Sequence, residues 1–297
     1  MDNEQNLTDI GTVKALLARH GFHFSKKLGQ NFLINPSVCP RMAEACGADA
    51  GTGVLEIGPG IGVLTRELAR RAARVTAIEL DERLLPVLEE TLGGYPHAHI
   101  LHGDAMKLDL RRVVAEEFPG LRVAVCANLP YYITSPILMK LLESRLPVEN
   151  ITVMVQKEAA QRLCALPGTR ECGAVTFAVQ YYAEPEVLFP VSRGSFLPAP
   201  NVDSAVIRLK VRREPPCRVE DEEWLFRLVR AAFGQRRKTL PNALAGAGLD
   251  KQQAAAALRE AGIPETARAE QLTLEMFAAL AKNVEKPHTV LRSSPPS

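Results

Sequence analysis

Short apolar runs alternate with amphipathic segments along the first half of the chain. The apolar runs predict strands at residues 54–57, 74–79, 99–104, 123–128 and 151–156. Segments with apolar residues at helical spacing predict helices at residues 8–20, 36–46, 63–71, 84–92, 110–117 and 137–144. Strands that alternate with helices in this way are typical of a parallel sheet covered on both faces, so we predict an α/β fold.

The pattern changes in the second half of the chain. Apolar runs predict the last strands at residues 175–182, 187–191 and 205–209, and the prolines of residues 196–200 predict a loop beside the ligand-binding edge. Arg-Arg-Glu-Pro-Pro at residues 212–216 predicts a linker. Helices are predicted beyond it at residues 222–233, 239–244, 251–261 and 273–283. We therefore predict an α/β domain over 1–211, a small all-helical domain over 212–283 and a disordered tail over 284–297.

Composition narrows the class of protein only moderately. The 297 residues include 36 Lys and Arg against 34 Asp and Glu, so net charge does not by itself indicate a nucleic-acid partner. No uncharged stretch approaches the ~18 residues that a membrane span needs, and we expect a cytoplasmic protein without a membrane partner. The six cysteines form no Cys-x-x-Cys pair, which favours reduced thiols over disulfides and argues against a metal site.

A glycine turn, Gly58-Pro59-Gly60-Ile61-Gly62, joins the first strand of the alternating series to its helix. Glycines let the backbone turn sharply and let a ligand approach it closely, although a plain strand-to-helix turn has the same sequence. Val63 occupies the position where a dinucleotide fingerprint prefers a small residue, which weakens a nicotinamide interpretation.

Polar or glycine residues end four successive predicted strands: Gly58, Glu79, Asp104 and Asn128. Ligands of parallel sheets collect at the carboxyl ends of the strands. Glu79 could accept hydrogen bonds from both hydroxyls of a ribose, and Asp104 could accept a hydrogen bond from an adenine amine. The alternative is that Glu79 and Asp104 only cap the segments that follow them.

The tetrapeptide Asn128-Leu129-Pro130-Tyr131 can activate an adenine amine. The Asn128 side-chain oxygen and the Leu129 carbonyl would accept the two hydrogens, so that the nitrogen could become tetrahedral without a strong base. Tyr131 and Phe196 could hold the extruded base between them. The alternatives are an ordinary turn with a half-buried tyrosine, and a Phe196 that only fixes its loop to the core.

Two basic clusters could meet phosphates. Lys26 and Lys27 precede a Gly-Gln-Asn turn, and residues 208–238 hold ten Lys or Arg against five acidic residues. Within the second cluster, Arg236, Arg237 and Lys238 follow a predicted helix, where their charges could equally well stabilise its negative end. We predict RNA contact for these five residues.

Six segments together resemble the small-subunit type of ribosomal RNA adenine N6-dimethyltransferases, which use S-adenosylmethionine. These are residues 28–33, 56–62, 103–104, 128–131, 196–205 and 233–240, and the similarity runs from about residue 10 to 282. The resemblance implies a Rossmann-like class I methyltransferase domain with a mostly parallel seven-stranded sheet. It implies that the methyl donor contacts Asn31, Leu33, Gly58, Glu79, Asp104 and Asn128. It also implies that the target adenine lies among Asn128, Leu129, Tyr131 and Phe196.

The resemblance further implies dimethylation of two neighbouring adenosines in a hairpin loop of 16S rRNA, in the small subunit or its precursor, by a monomer without metal. Tyr132 stands where many relatives carry Asn, which affects no assigned role. One alternative is a large-subunit methyltransferase that confers macrolide resistance, but the complete segments 196–205 and 236–240 favour the small subunit. A DNA adenine methyltransferase would more usually carry a target-recognition insert, and none is visible. The alternative of another class is an RNA-binding assembly factor for which methylation is secondary.

Overall fold

The computed structural model describes residues 5–25 and 29–284. They form two compact units. The first unit extends to Cys164 and takes up Tyr182–Arg213 as well, and the second contains Ala165–Tyr181 and the residues from Glu214 onward. The chain thus leaves the first unit within the proline-containing segment 212–216. The second unit includes residues 165–181, which the sequence analysis placed in the α/β domain.

The part of the chain that the structure describes contains nine strands. They are β1 (Phe32–Leu33), β2 (Thr52–Ile57), β3 (Arg74–Glu79), β4 (Ala98–His102), β5 (Arg122–Asn128), β6 (Asn150–Gln156), β7 (Ala183–Val191), β8 (Phe196–Leu197) and β9 (Ser204–Val211). Seven of these strands form one sheet in the order β4-β3-β2-β5-β6-β9-β7, and β1 and β8 form a separate two-stranded sheet.

The large sheet is mostly parallel, which confirms the predicted fold class. Strands β2 to β6 run parallel to their neighbours in that group, while β9 lies antiparallel between β6 and β7. All six residues of the central β2 are buried. A strand covered on both faces has no solvent side, which is why its sequence is mostly apolar rather than alternating, with Thr52 and Glu56 as buried polar exceptions.

Twelve α-helices lie within the described residues. They are α1 (Ile10–Arg19), α2 (Val38–Ala45), α3 (Val63–Ala69), α4 (Leu85–Leu92), α5 (Leu110–Glu117), α6 (Thr134–Glu143), α7 (Lys157–Leu163), α8 (Ala174–Tyr182), α9 (Glu222–Gly234), α10 (Leu240–Ala243), α11 (Lys251–Glu260) and α12 (Leu274–Lys282). Side-chain caps start several of them where the sequence offers Asp or Thr, as at Asp109 of α5 and Asp250 of α11. None of the described helices has the length and apolar character needed to cross a bilayer.

The strand predicted at residues 175–182 is wrong, because these residues form α8. Their β-branched and aromatic side chains favour a strand locally, but the packing of the second unit overrides that preference. Phe177 and Tyr181 are four residues apart and so lie on one helix face. Phe177 contacts the rings of Phe233 and Phe277 at centroid distances of 5.5 and 5.1 Å, and Tyr181 contacts Phe226 at 5.3 Å.

The loop predicted at residues 196–200 also needs correction at its start. Phe196 and Leu197 form β8, which pairs antiparallel with β1 through Leu33 opposite Phe196 and Phe32 opposite Leu197. Residues about 160 positions away supply the partner strand, so no local pattern could indicate it. The pairing fixes the segment around Phe196 beside the N-terminal segment.

Candidate functional site

The four residues predicted at strand ends meet in one pocket of the first unit. Gly58 follows β2, Glu79 ends β3, Asp104 follows β4 and Asn128 ends β5, and all four line a space of about 1130 Å³ that includes its open mouth. They converge because carboxyl ends of parallel neighbours lie along one edge of a sheet. The other predicted site residues on its wall are Asn31, Leu33, Leu129, Tyr131 and Phe196.

The glycine turn forms the floor of this pocket with backbone rather than side chains. Gly58 and Gly60 have φ of +72° and +61°, a region that L-residues with a Cβ rarely adopt. A Cβ on Gly60 would also lie 3.1 Å from the ring of Phe32. Gly62 then serves as N-cap of α3. A ligand can therefore approach the main chain here, as the sequence predicted for a glycine turn.

Glu79 carries a buried carboxylate on the pocket wall, with only 6% of the residue exposed. Burial raises its pKa to about 7, although the N–H of Asp81, which donates to Oε1 at 2.7 Å, acts in the opposite direction. The nearby negative charge of Asp81 raises the pKa further. Near neutral pH the group thus gains or loses a proton according to what binds beside it.

Glu56 is a second buried carboxylate on the same wall, and the sequence analysis did not assign it a role. It is 1% exposed, and its Oε2 has no hydrogen-bond partner among the described residues. Burial raises the pKa of Glu56 to about 8, and the nearby charge of Glu79 raises it as well. The Thr65 hydroxyl lowers this pKa in part, although it forms no hydrogen bond of normal geometry with Glu56. A buried polar atom without a partner in a pocket wall indicates a ligand that supplies one.

The buried Glu56 should make the free protein less stable as pH rises. Unfolded Glu56 releases its proton near 4.5 and folded Glu56 only near 8, so unfolding releases a proton across this interval and higher pH favours it. In Glu56→Gln we expect the fall in unfolding free energy between pH 5 and pH 8 to be smaller by about 3 kcal/mol. Denaturant titrations at several pH values measure this slope.

The exposed Glu143 on α6 offers a matched control for that experiment. Glu143→Gln should retain the pH slope of the unsubstituted protein. If Glu56→Gln also retained it, Glu56 would not hold a proton in the folded protein.

Asp104 and Glu79 both serve the local backbone as well as facing the pocket. Asp104 Oδ1 accepts from Met106 N at 2.9 Å, and Glu79 Oε1 accepts from Asp81 N. The alternative interpretation, in which these carboxylates hold the segments that follow them, therefore describes real contacts. Each contact occupies one carboxylate oxygen, and because both residues line the pocket the two roles are compatible.

Asn128 and Leu129 leave β5 at the centre of the pocket wall. Asn128 is half-buried and Leu129 is 1% exposed. Leu129 N donates to Met154 O of the neighbouring β6 at 3.3 Å, which holds this peptide against the sheet. Pro130 then leads into a short 3₁₀ turn, Tyr131–Ile133. The side chain of Asn128 and the backbone that follows are thus attached to a rigid strand rather than to a long loop.

Tyr131 is held by a residue that the sequence analysis did not single out for a role. Its hydroxyl lies 2.7 Å from Oγ of Ser204, which is fully buried at the start of β9. Burial raises the pKa of Tyr131, while this hydrogen bond lowers it. The tether links two of the matched segments, 128–131 and 196–205, and fixes the half-buried ring on the pocket wall.

The N-terminal segment closes one side of the pocket. Asn31 Nδ2 donates to Gly29 O at 3.0 Å, and Leu33 is buried beside Phe196 through the β1–β8 pairing. Phe196 is 3% exposed and belongs to a core cluster with Leu33 and Met42. The alternative in which Phe196 fixes its segment to the core is therefore correct as far as packing goes, and the ring also lines the pocket.

Five basic residues were predicted to contact RNA. Lys26 and Lys27 fall outside the described residues. Arg236 is exposed, but its Nη2 donates to the carbonyls of Arg170 and Cys172 at 2.8 and 2.7 Å, so it also holds a loop of the second unit. Arg237 and Lys238 are exposed just after α9 and carry their charges into solvent.

The sequence analysis did not predict several residues of the pocket wall, because no sequence pattern shows that these side chains face the pocket. Leu80 and Tyr132 line the pocket although they are 47% and 54% exposed. Ala105, which follows Asp104, also lines it. Large apolar side chains that remain exposed at a pocket mouth favour a flat, weakly polar ligand group. Among the described residues, no three His, Cys, Asp or Glu side chains gather as a metal site.

Comparison with known proteins gives a consistent result. Residues 21–286 match the family model described as ribosomal RNA adenine dimethylase. The chain is 52% identical over 282 residues to ribosomal RNA small subunit methyltransferase A of Geobacillus thermodenitrificans, covering 93% of this chain and 96% of that protein. It is 47% identical over 289 residues to the protein of the same name from Bacillus pumilus, covering 96% and 99%.

Two solved structures share the fold at a greater distance in sequence. A dimethyladenosine transferase from Plasmodium falciparum has a TM-score of 0.71 at 27% identity, covering 84% of this chain and 95% of that one. The 23S rRNA methyltransferase ErmE has a TM-score of 0.66 at 31% identity, covering 86% and 99%.

Proposed function

The chain belongs to the ribosomal RNA adenine dimethylase family, and on that basis we propose the reaction that it carries out. It transfers methyl groups from S-adenosylmethionine to N6 of two adjacent adenosines in a hairpin loop near the 3′ end of 16S rRNA. The product is N6,N6-dimethyladenosine in the small ribosomal subunit or its precursor, and the reaction serves subunit biogenesis. The observation that carries this proposal is the placement of Asn128–Tyr131 in the pocket that the glycine turn and the buried carboxylates share.

The pocket suits the methyl donor chemically. S-adenosylmethionine carries a positive sulfonium and an ammonium group, and it supplies an electrophilic methyl group. The residues proposed to hold it are Asn31, Leu33, Gly58, Glu79, Asp104 and Asn128. A cationic ligand would favour the ionised forms of the buried Glu56 and Glu79 carboxyl groups, and the unpaired Oε2 of Glu56 offers it an acceptor. Leu80 and Ala105 provide apolar surface for an adenine ring.

Asn128 and Leu129 prepare the target nitrogen. The lone pair of an adenine amine is delocalised into the ring, so the amine becomes a nucleophile only when its nitrogen turns tetrahedral. The Asn128 side-chain oxygen and the Leu129 carbonyl accept the two hydrogens and favour that geometry. After the first transfer one hydrogen remains for the same acceptors, which permits a second methyl group on the same nitrogen.

Tyr131 and Phe196 hold the extruded adenine, and Ser204 keeps Tyr131 in place. Removing either hydroxyl breaks the same hydrogen bond, so we expect Tyr131→Phe and Ser204→Ala each to lower kcat/KM about fivefold. Because the two residues share one interaction, the double variant should lose little more than either single variant. Steady-state methyl transfer to under-methylated small subunits measures these effects.

Tyr181 provides the matched control for the Tyr131 variants. Its hydroxyl donates to Glu222 at 3.1 Å within the second unit, and Tyr181 is not among the residues that line the pocket. Tyr181→Phe should lower the thermal midpoint Tm without a change in kcat/KM. Fully additive losses in Tyr131→Phe/Ser204→Ala would contradict the tether.

The small subunit is the favoured substrate over the large one. The chain is about half identical to relatives named small subunit methyltransferase A, against 31% to the 23S rRNA enzyme. The exposed cations of the second unit, Arg237 and Lys238 with Arg236, are proposed to contact rRNA phosphates. Lys26 and Lys27, whose sequence precedes the Gly-Gln-Asn turn, are proposed to do the same.

One assay tests the proposed function directly. The protein is incubated with S-adenosylmethionine labelled in its methyl group and with small subunits from a strain that lacks the modification, and the modified bases are mapped. We expect label at two neighbouring adenosines of 16S rRNA. Label in large subunits instead would support the macrolide-resistance alternative, and tight subunit binding without label would support an assembly factor.

A further inference from the structure

A second, polar cavity is present in the first unit. Its walls include two cationic side chains, Lys157 and Arg193, the amide side chains of Gln156, Gln161 and Asn201, and Asp203. These residues come from the end of β6 and the start of α7, from the 3₁₀ turn Arg193–Ser195, and from the loop before β9. None of these residues has a role in the reaction proposed above.

The cavity continues the wall that carries the target adenine. Gln156 at its edge is paired in register with Ser204, and Ser204 holds the hydroxyl of Tyr131. Asp203 immediately precedes Ser204. On another side, Arg193 starts the 3₁₀ turn that runs directly into Phe196. Phe196 thus lies three residues after Arg193 of this cavity, and Tyr131 is hydrogen-bonded to the residue that follows Asp203.

Asp203 gives the cavity a fixed frame. Its side-chain Oδ1 accepts from Arg193 N at 3.0 Å, and its backbone oxygen accepts from Lys157 N, also at 3.0 Å. Asp203 therefore joins all three wall segments: its side-chain Oδ1 accepts from one backbone N–H and its backbone oxygen accepts from another. The side chains of Lys157 and Arg193 project from anchored backbone positions, so their location does not depend on a flexible loop.

The acidic side chains of the cavity have hydrogen-bond or ion-pair partners, whereas its two cationic side chains have no ion-pair partner among the described residues. Glu158 pairs with Arg162 at 3.1 Å, and Asp203 accepts the backbone bond just described. Within the described part of the chain, the ammonium group of Lys157 and the guanidinium group of Arg193 have no ion-pair partner. Isolated exposed cations are common on protein surfaces and need no ligand. Here, however, both line one cavity, and that cavity includes Asp203, which precedes Ser204, and Arg193, three residues before Phe196.

We propose that this cavity is the subsite for the nucleotide adjoining the target adenosine, with its phosphate bound between Lys157 and Arg193. The inference rests on the proposed function and adds to it a contact that positions the RNA strand at the pocket. Gln156, Gln161 and Asn201 offer donors and acceptors for base edges or ribose hydroxyls, which single-stranded RNA exposes. Val202, 44% exposed on the same wall, offers an apolar contact for a base.

The test uses the double variant Lys157→Gln/Arg193→Gln in the full chain with under-methylated small subunits as substrate. Losing two phosphate contacts should raise KM for subunits by about 30-fold with little change in kcat. The slope of log KM against log salt concentration should fall by about 0.7, because one phosphate of single-stranded RNA is no longer neutralised. Affinity for S-adenosylmethionine and Tm should stay unchanged, since both side chains are exposed and neither lines the donor pocket.

Lys14→Gln/Arg112→Gln is the matched control, because it removes the same charge from an exposed lysine of α1 and an exposed arginine of α5. Neither residue lines the polar cavity or the donor pocket. An equal change of KM and salt slope in both double variants would overturn the subsite in favour of a general charge effect. An unchanged KM in Lys157→Gln/Arg193→Gln would also overturn it.

Two further outcomes separate the subsite from its alternatives. A raised KM for subunits, with unchanged affinity for the protein-free RNA hairpin, would indicate a ribosomal protein in the cavity and overturn the nucleotide assignment. Absence of methyl transfer by the unsubstituted protein would instead refute the proposed function, and the subsite with it.

Discussion

Asn128→Ala is expected to lower methyl transfer to 16S rRNA by about 1000-fold, the loss typical when a positioned hydrogen-bonding group of a transition state is removed. The alanine leaves the amine with only one acceptor, so its lone pair remains delocalised. Binding of small subunits should change by less than about threefold, because one uncharged contact contributes little to an interface dominated by phosphates. Methyl incorporation and subunit co-sedimentation measure the two quantities on the same preparation.

Asn150 allows the matched control for this variant. It lies at the amino end of β6, whereas Asn128 lies at the carboxyl end of the neighbouring β5. Asn150→Ala should transfer methyl groups at the normal rate. Near-normal transfer by Asn128→Ala would refute the assigned role, and loss of subunit binding together with transfer would mean that Asn128 acts in RNA binding rather than in activation of the amine.

Glu79→Gln is expected to weaken binding of S-adenosylmethionine by about 100-fold, because two charge-assisted hydrogen bonds to the ribose hydroxyls are lost. The substitution keeps the shape of the side chain and an oxygen that can accept from Asp81 N. Isothermal titration with the donor and with its demethylated product, S-adenosylhomocysteine, measures the loss. Equal losses for both ligands would identify ribose binding as the cause, since the two share the ribose and differ in the sulfonium charge.

The same variant should be more stable than the unsubstituted protein when no ligand is bound. Folded Glu79 has a pKa of about 7 against 4.5 for the free side chain, so above neutral pH the folded protein must hold an ionised, buried carboxylate. At pH 8 we expect Glu79→Gln to gain about 3 kcal/mol in unfolding free energy, and the gain should vanish near pH 4. Higher stability with lower donor affinity would show that the carboxylate is retained for binding, whereas unchanged donor affinity would exclude Glu79 from the site.

Much of the first unit could be predicted from sequence because the controlling signals are local. Burial on both faces makes each parallel strand apolar, and a helix exposes one face, so β2 to β6 and the helices between them can be recognised from spacing alone. Once the strands are placed, the direction of a parallel sheet brings Gly58, Glu79, Asp104 and Asn128 to one edge without further information. Glycines at positive φ are equally local, since the turn itself requires them.

What the sequence could not determine depends on residues distant along the chain. Whether residues 174–182 form a helix was decided by the rings of Phe226, Phe233 and Phe277, which outweigh a local preference for strand. The bond from Tyr131 to Ser204 joins residues 73 positions apart, and the buried state of Glu56 depends on the elements packed around it. Sequence alone thus determined the order of elements from β2 to β6 and the sheet edge where their polar ends meet, because periodicity and backbone conformation are local. Tertiary structure alone decided burial, proton affinity and the contacts that hold the pocket residues, because these arise between segments that the sequence separates.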